Sequence, residues 1–276
     1  MLAAIIALTR PLNCLIMVCS VGVGALTTGA GIRAPTVALA ALSAALIAAA
    51  GNCHNDLKDL KIDRVNRPLR PLPSGRISPQ AAAIESLVLA ATGLGIAWSL
   101  GSWTGWIATG VTCGLFIYNV SLKGSMLWGN VLVACLAGAA FPYGAIAAGS
   151  WGRSWIPAVF AALFHLGREI VKDIEDIEGD ERGNARTLAV IHGPRAAKIA
   201  ASVVYFMLMA VTLLPALLDI YGTIYLVFVA GLDILLIVTL FRLCRDVSVG
   251  SSYRASTVLT AGMAIGLLAV VAGELL

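Results

Sequence analysis

Apolar runs long enough to cross a bilayer recur along this chain from end to end, interrupted by only two long polar stretches, 55–79 and 172–196. A crossing helix needs roughly 20 apolar residues. Runs of that kind cover 12–30, 35–54, 80–100, 103–120, 127–149, 155–172, 197–218, 221–241 and 256–275. The pattern predicts an all-α membrane protein with nine transmembrane helices, forming a single domain over 1–276. The third and fourth runs are parted only around Gly101-Ser102. Eight spans, with one long re-entrant feature there, is the alternative. In the first polar stretch Pro68, Pro71 and Pro73 forbid a regular helix and predict an extended, stiff cap.

Composition agrees with the pattern. The 276 residues are 59% hydrophobic and 12% charged, with a mean hydropathy of +0.90; soluble domains carry about a quarter charged residues. With nine spans, one side of the membrane receives seventeen of the nineteen Lys and Arg residues, and the other only Arg33 and Arg153. The excess of cations predicts that this side is cytoplasmic, with the N-terminus and both polar stretches on it. A net charge of +4 is then explained by basic loops beside anionic lipid, and implies no nucleic acid. Met1–Leu8 followed by Arg10 lacks a basic n-region and a small-residue cleavage site, so it does not read as a signal peptide. The six cysteines make no C-x-x-C pair and read as small buried hydrophobes.

The chemistry lies in the two polar stretches. Each opens on D-x-x-D-x-x-x-D: Asp56, Asp59 and Asp63 in the first, Asp173, Asp176 and Asp180 in the second. On a helix, positions i, i+3 and i+7 share a face, so each cluster turns three carboxylates one way. A solvated helix end explains one such cluster. Two of matched spacing at the membrane edge point to a hard cation between them, Mg²⁺ being the usual choice, with substrate phosphates completing its shell. Two clusters facing one another predict a diphosphate site. Glu175 and Glu178 fall off the second aspartate face and read as solvated, or paired with Lys172 and Arg182.

Around the clusters stand groups with two readings each. Asn55 offers an amide oxygen to the metal or phosphate network, or lines the bundle. Arg67, Arg70 and Arg76 match phosphate oxygens bidentately, or touch lipid headgroups. Arg10 and Asn13 at the first span, and Tyr118, Lys123 and Asn130 around the loop after the fourth, are site-lining or anchoring. His54, His165 and His192 have no metal-ligand spacing, although His54 beside the first cluster is a conceivable base. There is no Walker loop, G-x-S-x-G or H-E-x-x-H to support a nucleotide-driven pump or a hydrolase.

These motifs resemble the UbiA superfamily of intramembrane prenyltransferases. Its N-D-x-x-D-x-x-x-D signature is matched by Asn55, Asp56, Asp59 and Asp63, and its second aspartate motif by Asp173, Asp176 and Asp180. Tyr118, Lys123, Asn130 and the Arg10-Pro11-x-Asn13 entry are similar to family positions as well. The runs Asp63–Ile77 and Arg168–Asp180, with Thr187-Leu188, look like the archaeal ether-lipid branch; Ala189-Val190 departs from that branch's Pro-Ile. The resemblance implies a nine-helix bundle whose central cavity is capped by cytoplasmic loops. It implies Mg²⁺ as cofactor on the six aspartates. Catalytic roles would fall to these with Asn55, Tyr118 and Lys123. Substrate contacts would fall to Arg10, Asn13, Arg67, Arg70, Arg76, Asn130 and Lys172. The implied reaction moves a geranylgeranyl group from its diphosphate to the hydroxyl of geranylgeranylglyceryl phosphate, so the partners are a polyprenyl diphosphate donor, a lipid phosphate acceptor and the bilayer. An aromatic or quinone-precursor acceptor is the rival within the superfamily. A divalent-cation carrier or channel with acidic rings is the rival from another class.

Overall fold

Each predicted span has its helix in the computed structural model, which describes residues 2–29, 34–245 and 249–276; of residues 2, 34, 65, 66 and 249–251 only the backbone is described. Arg33, the end of the first run at residue 30 and the Asn66 side chain lie outside what is described. The helices are α1 (Leu2–Thr9), α2 (Pro11–Leu26), α3 (Ala34–Asn66), α4 (Pro79–Leu100), α5 (Ser102–Ile117), a π-turn (Tyr118–Leu122), α6 (Trp128–Gly138), α7 (Ala140–Ala147), α8 (Trp155–Glu175), α9 (Ile177–Arg182), α10 (Leu188–Leu217), α11 (Thr223–Arg245) and α12 (Val249–Leu275). Among the described residues seven helical stretches are long and apolar enough to cross a membrane, eight if the bent pair of α1 and α2 counts as one. The sixth predicted span, α8, falls outside that set because Arg168, Glu169 and Lys172 lie in its last two turns.

The chain divides into two units, one comprising residues 1–123 and 139–154, the other 124–138 and 155–276. In the first, α3 packs on α4, where Ser43 donates to the Gly93 carbonyl at 2.7 Å and Tyr143 of α7 donates to Ser43 Oγ at 2.9 Å. Helices α2 and α7 meet backbone to backbone: a Cβ on Gly24 would lie 2.0 Å from the Phe141 carbonyl oxygen, and one on Gly144 2.0 Å from that of Val21. The core is small-residue rich, built from Val21, Ala40, Ile47, Ala97, Ala108 and Ala140. Small residues are what let helices approach closely in lipid, where hydrophobicity itself gives no drive to associate. The second unit has a bulkier core of Phe164, Ile170, Tyr205, Leu208, Leu236 and Leu259. There Gly167 of α8 admits the Tyr205 ring of α10. Leu87, Phe206, Val227 and Ile234 stay exposed on the outward helix faces, a surface that lipid can cover.

The Gly101 break separates two distinct helices, α4 and α5, as the run pattern predicts, and the alternative of a single re-entrant feature there does not form. Three expectations change. Of the six cysteines only Cys53 is buried; Cys14 is half-buried, and Cys19, Cys113, Cys135 and Cys244 are exposed. The Pro-rich stretch after α3 is a chain of turns, not an extended strand. Ser74 N–H bonds the Arg70 carbonyl at 3.0 Å and Gly75 N–H that of Leu72 at 3.0 Å. Leu72 and Ile77 are buried against Leu8, Cys53 and Ala82, so hydrophobic anchoring folds the prolines back. The second acidic motif is not on one uninterrupted helix, because the backbone leaves helical geometry at Asp176 (φ −94°, ψ 6°), where α9 begins. The break is local. Asp176 N–H still bonds the Lys172 carbonyl and Asp180 N–H that of Asp176, both at 3.0 Å.

Candidate active site

Helix α3 runs about three turns beyond its predicted apolar span, and this extension carries the first acidic cluster. Asp56 and Asp63 are buried, each 3% exposed, and Asp59 is half-buried. Buried carboxylates require partners, and three cations converge on the cluster. Arg10 pairs with Asp56. Arg70 bridges Asp63 at 2.6 Å and Asp56 at 3.5 Å. Lys123 pairs with Asp59 and donates to Asn55 Oδ1 at 2.8 Å. Asn55 Nδ2 in turn donates to Asp59 at 3.0 Å.

Local structure explains how each cation arrives. Arg10 sits at the break between α1 and α2 in the left-handed region with φ 53°; Pro11 opens α2, and the residue before proline avoids the right-handed helical region, so the chain cannot run straight through as one helix. Asn52 fixes the same corner by donating to the Thr9 carbonyl at 2.9 Å. Arg70 is carried back over α3 by the folded turns, beginning with Arg67 N–H on the Asp63 carbonyl at 2.8 Å. Lys123 ends the π-turn, its N–H closing on the Tyr118 carbonyl at 2.7 Å.

The remaining sequence candidates are placed unevenly. Arg76 is exposed and directs its guanidinium into its own loop, to Leu69 O at 2.5 Å and Ser74 Oγ at 3.0 Å. Arg67 and Tyr118 are half-buried, and Asn13 is exposed on the first turn of α2. His54 stacks on Phe116, with centroids 5.2 Å apart.

In the second unit Asn130 of α6, itself buried, donates to Asp173 Oδ2 at 2.8 Å. Thr187 caps α10 by accepting from Val190 N–H and lies 3.5 Å from Asp180 Oδ2. Lys172 lies 3.4 Å from Glu169, which also takes Arg168 at 3.1 Å; Glu178 is exposed. Asp173 stands just past the sixth predicted span. Burial, aided by Glu169 and Asp180, outweighs the Asn130 bond and Lys172 and pushes its carboxyl up to about 7. Such a group is one that a divalent cation would hold as the anion. Among the described residues no three His, Cys, Asp or Glu side chains form a ready metal cage. The donor set nonetheless fits Mg²⁺, which binds through one or two carboxylates with waters and substrate phosphates in the remaining positions.

Sequence reasoning gave no role to Arg168, Glu169, Thr187 or Asn119. The one-turn spacing of Glu169 and Lys172 was the available signal for a paired acid on α8. Asn119 carried none, because a lone Asn in an apolar run has no pattern.

The UbiA prenyltransferase family matches residues 15–272, a stretch that contains both acidic clusters. The chain belongs to this family and is a membrane prenyltransferase. A relative from Methanopyrus kandleri named digeranylgeranylglyceryl phosphate synthase is 37% identical over 277 residues, covering 99% of each chain. A solved structure of a digeranylgeranylglyceryl phosphate synthase superposes with a TM-score of 0.78 at 30% identity, over 99% of this chain and 98% of that one. A UbiA homologue from Archaeoglobus fulgidus, bound to GPP and Mg²⁺, shares the fold with a TM-score of 0.70 at 20% identity, over 97% of this chain and 99% of that one.

Proposed function

We propose that this protein transfers a geranylgeranyl group from geranylgeranyl diphosphate to the hydroxyl of geranylgeranylglyceryl phosphate, releasing diphosphate. One observation carries the reading: the end-to-end match to relatives named for the product of that reaction. The archaeal ether-lipid runs at Asp63–Ile77 and Arg168–Asp180 support it.

Mg²⁺ would be held by Asp56, Asp59 and Asp63 and by Asp173, Asp176 and Asp180, and when bound it supplies Lewis-acid stabilisation of the departing diphosphate. The chain's own groups do the rest. Arg10, Arg70 and Lys123, now neutralising the first cluster, are placed to turn onto phosphate oxygens and stabilise charge as it develops there. The allylic C–O bond breaks with its electron pair leaving on diphosphate. The acceptor oxygen forms the new ether bond and gives up its proton to the released diphosphate. Apolar helix faces sheltering the reacting carbon exclude water that would otherwise capture the cation. Asn55, Asn130 and Tyr118 are polar positioning groups in this reading. Arg67 and Lys172 are cations for the acceptor's phosphate, and Asn13 and Arg76 are peripheral contacts.

The architecture we propose has nine spans, α8 included, around a central cavity capped by cytoplasmic loops. The N-terminus and both clusters lie on the cytoplasmic side, as the seventeen-to-two distribution of basic residues supports. The test is incubation of purified protein with geranylgeranyl diphosphate, Mg²⁺ and a panel of acceptors, read by mass spectrometry. Digeranylgeranylglyceryl phosphate is the expected product. Preferential prenylation of 4-hydroxybenzoate or a naphthoate would replace the lipid reading with the aromatic one. Mg²⁺ flux in liposomes without diphosphate release would replace both.

A further inference from the structure

The π-turn that brings Lys123 to the first acidic cluster is gripped by α3 at a second point, away from the proposed chemistry. Asn119, the second residue of the turn, is 6% exposed. Its Nδ2 stands 3.4 Å from His54 Nδ1, while its Oδ1 is buried without a hydrogen-bond partner. His54 is held in turn, its ring lying 6° from parallel against Phe116. Next along α3 comes Asn55, which accepts from Lys123 Nζ at 2.8 Å. Two adjacent residues of one helix therefore hold the two ends of one five-residue turn.

The turn has need of such support. Its closing bond runs from Lys123 N–H to the Tyr118 carbonyl, five residues back, the wide pairing that proteins use sparingly and mostly at functional sites. Relaxing it to ordinary helical pairing would alter the rotation of all that follows by about 100°, one residue's share of a 3.6-residue turn. Lys123 would then leave Asn55 and Asp59. A buried amide oxygen with no partner disfavours the folded state, so packing stability alone does not account for an asparagine at this position.

We propose that Asn119 and His54 are positioning residues for prenyl transfer: together they fix the π-turn in the register that delivers Lys123 to the acidic cluster and to the substrate's anionic group. This rests on the reading above that Lys123 contacts a phosphate oxygen of the substrate, and the test separates the two.

Diphosphate release by the purified, Mg²⁺-supplied protein is measured for Asn119→Ala, Lys123→Ala and the double variant. Binding of inorganic diphosphate with Mg²⁺ is followed in parallel by calorimetry. Asn119→Ala should lower kcat about tenfold, the scale expected from a small misplacement of a catalytic group, with little change in the donor's KM. In the Lys123→Ala background the same substitution should change kcat by less than about twofold, because residues that act through one another are not additive. Diphosphate affinity should follow the same pattern. His54→Phe, which keeps a ring against Phe116 but removes Nδ1, should reproduce the coupled loss, and it carries the cycle if Asn119→Ala does not fold. A tenfold loss in both backgrounds would show Asn119 to be merely structural and overturn the proposal. Full kcat and diphosphate affinity in Lys123→Ala alone would instead overturn the role of Lys123, and the proposal with it.

Discussion

At the scale of single residues, the first cluster is two buried acids and a half-buried one whose charge is met by side chains. Removing one acid removes a proposed Mg²⁺ oxygen and also leaves a cation unpaired, Arg10 in the case of Asp56. Asp56→Ala and Asp173→Ala should each abolish product formation while the protein still inserts and elutes as the folded species. EDTA should do the same to the unaltered enzyme, with Mg²⁺ restoring it; turnover by either alanine variant at the wild-type rate would refute the two-cluster assignment. The acceptor's phosphate needs cations of its own. A charge-assisted contact contributes about 1.5–3 kcal/mol, and 1.4 kcal/mol is a decade in affinity. Arg67→Ala should accordingly raise the acceptor's KM by roughly tenfold or more and leave the donor's nearly unchanged. Arg70 bridges two aspartates, so Arg70→Ala should disturb both. Steady-state kinetics with each substrate varied in turn distinguishes these outcomes. If geranylgeranylglycerol without its phosphate reacts as well as the phosphate ester, the lipid reading fails while the family assignment stands.

At the scale of elements, most of the helices were legible because a bilayer-length apolar run admits few other structures. The first acidic face was legible too, since α3 stays helical through Asp63 and the i, i+3, i+7 rule holds. What escaped depended on tertiary contacts. The fold of the Pro-rich turns follows from burial of Leu72 and Ile77, which no spacing announces. The π-turn follows from Asn119 meeting His54, residues 65 apart in sequence. The interruption at Asp176 falls within a run whose pattern reads as continuous helix. Close helix crossings were hidden as well, because glycines are common throughout the chain. The α2–α7 contact now gives its glycines different weights. A methyl on Gly24 or Gly144 meets a carbonyl oxygen at 2.0 Å, and backbone cannot yield as a side chain does. Gly24→Ala or Gly144→Ala should cost about 3 kcal/mol or more, at or beyond the upper end for overpacking, seen as a fall in Tm of roughly 6–12 °C. Gly110→Ala, with nothing within 4 Å of the added carbon, should leave Tm within about a degree or two. Equal shifts for Gly24 and Gly110 would mean that the crossing is looser than the structure has it.

At the scale of the whole molecule, the remaining question is which way the chain sits in the membrane, and here charge decides what hydropathy cannot. An apolar helix inserts equally well in either direction; Lys and Arg, held back from crossing and attracted to anionic cytoplasmic lipid, break that symmetry. The nine-span reading collects seventeen such residues on one side and two on the other. That count depends on α8 crossing despite Arg168, Glu169 and Lys172. Those three charges neutralise one another in part, with Glu169 between the two bases, and they lie in the last two turns of α8 on the side assigned to the cytoplasm. If α8 did not cross, the order of sides would invert for everything after it, and the second acidic cluster and its basic neighbours would be parted from the balance that the first cluster sets. The experiment is accessibility labelling in intact cells, after the six native cysteines are replaced. Single cysteines at Gly75 in the folded turns, Gly183 after α9 and Gly149 after α7 should behave differently. The first two should react with a membrane-impermeant maleimide only after the cells are opened, and the third from outside. Labelling of Gly183 from outside with Gly75 protected would remove α8 from the set of spans. Labelling of both acidic loops from outside would reverse the orientation altogether.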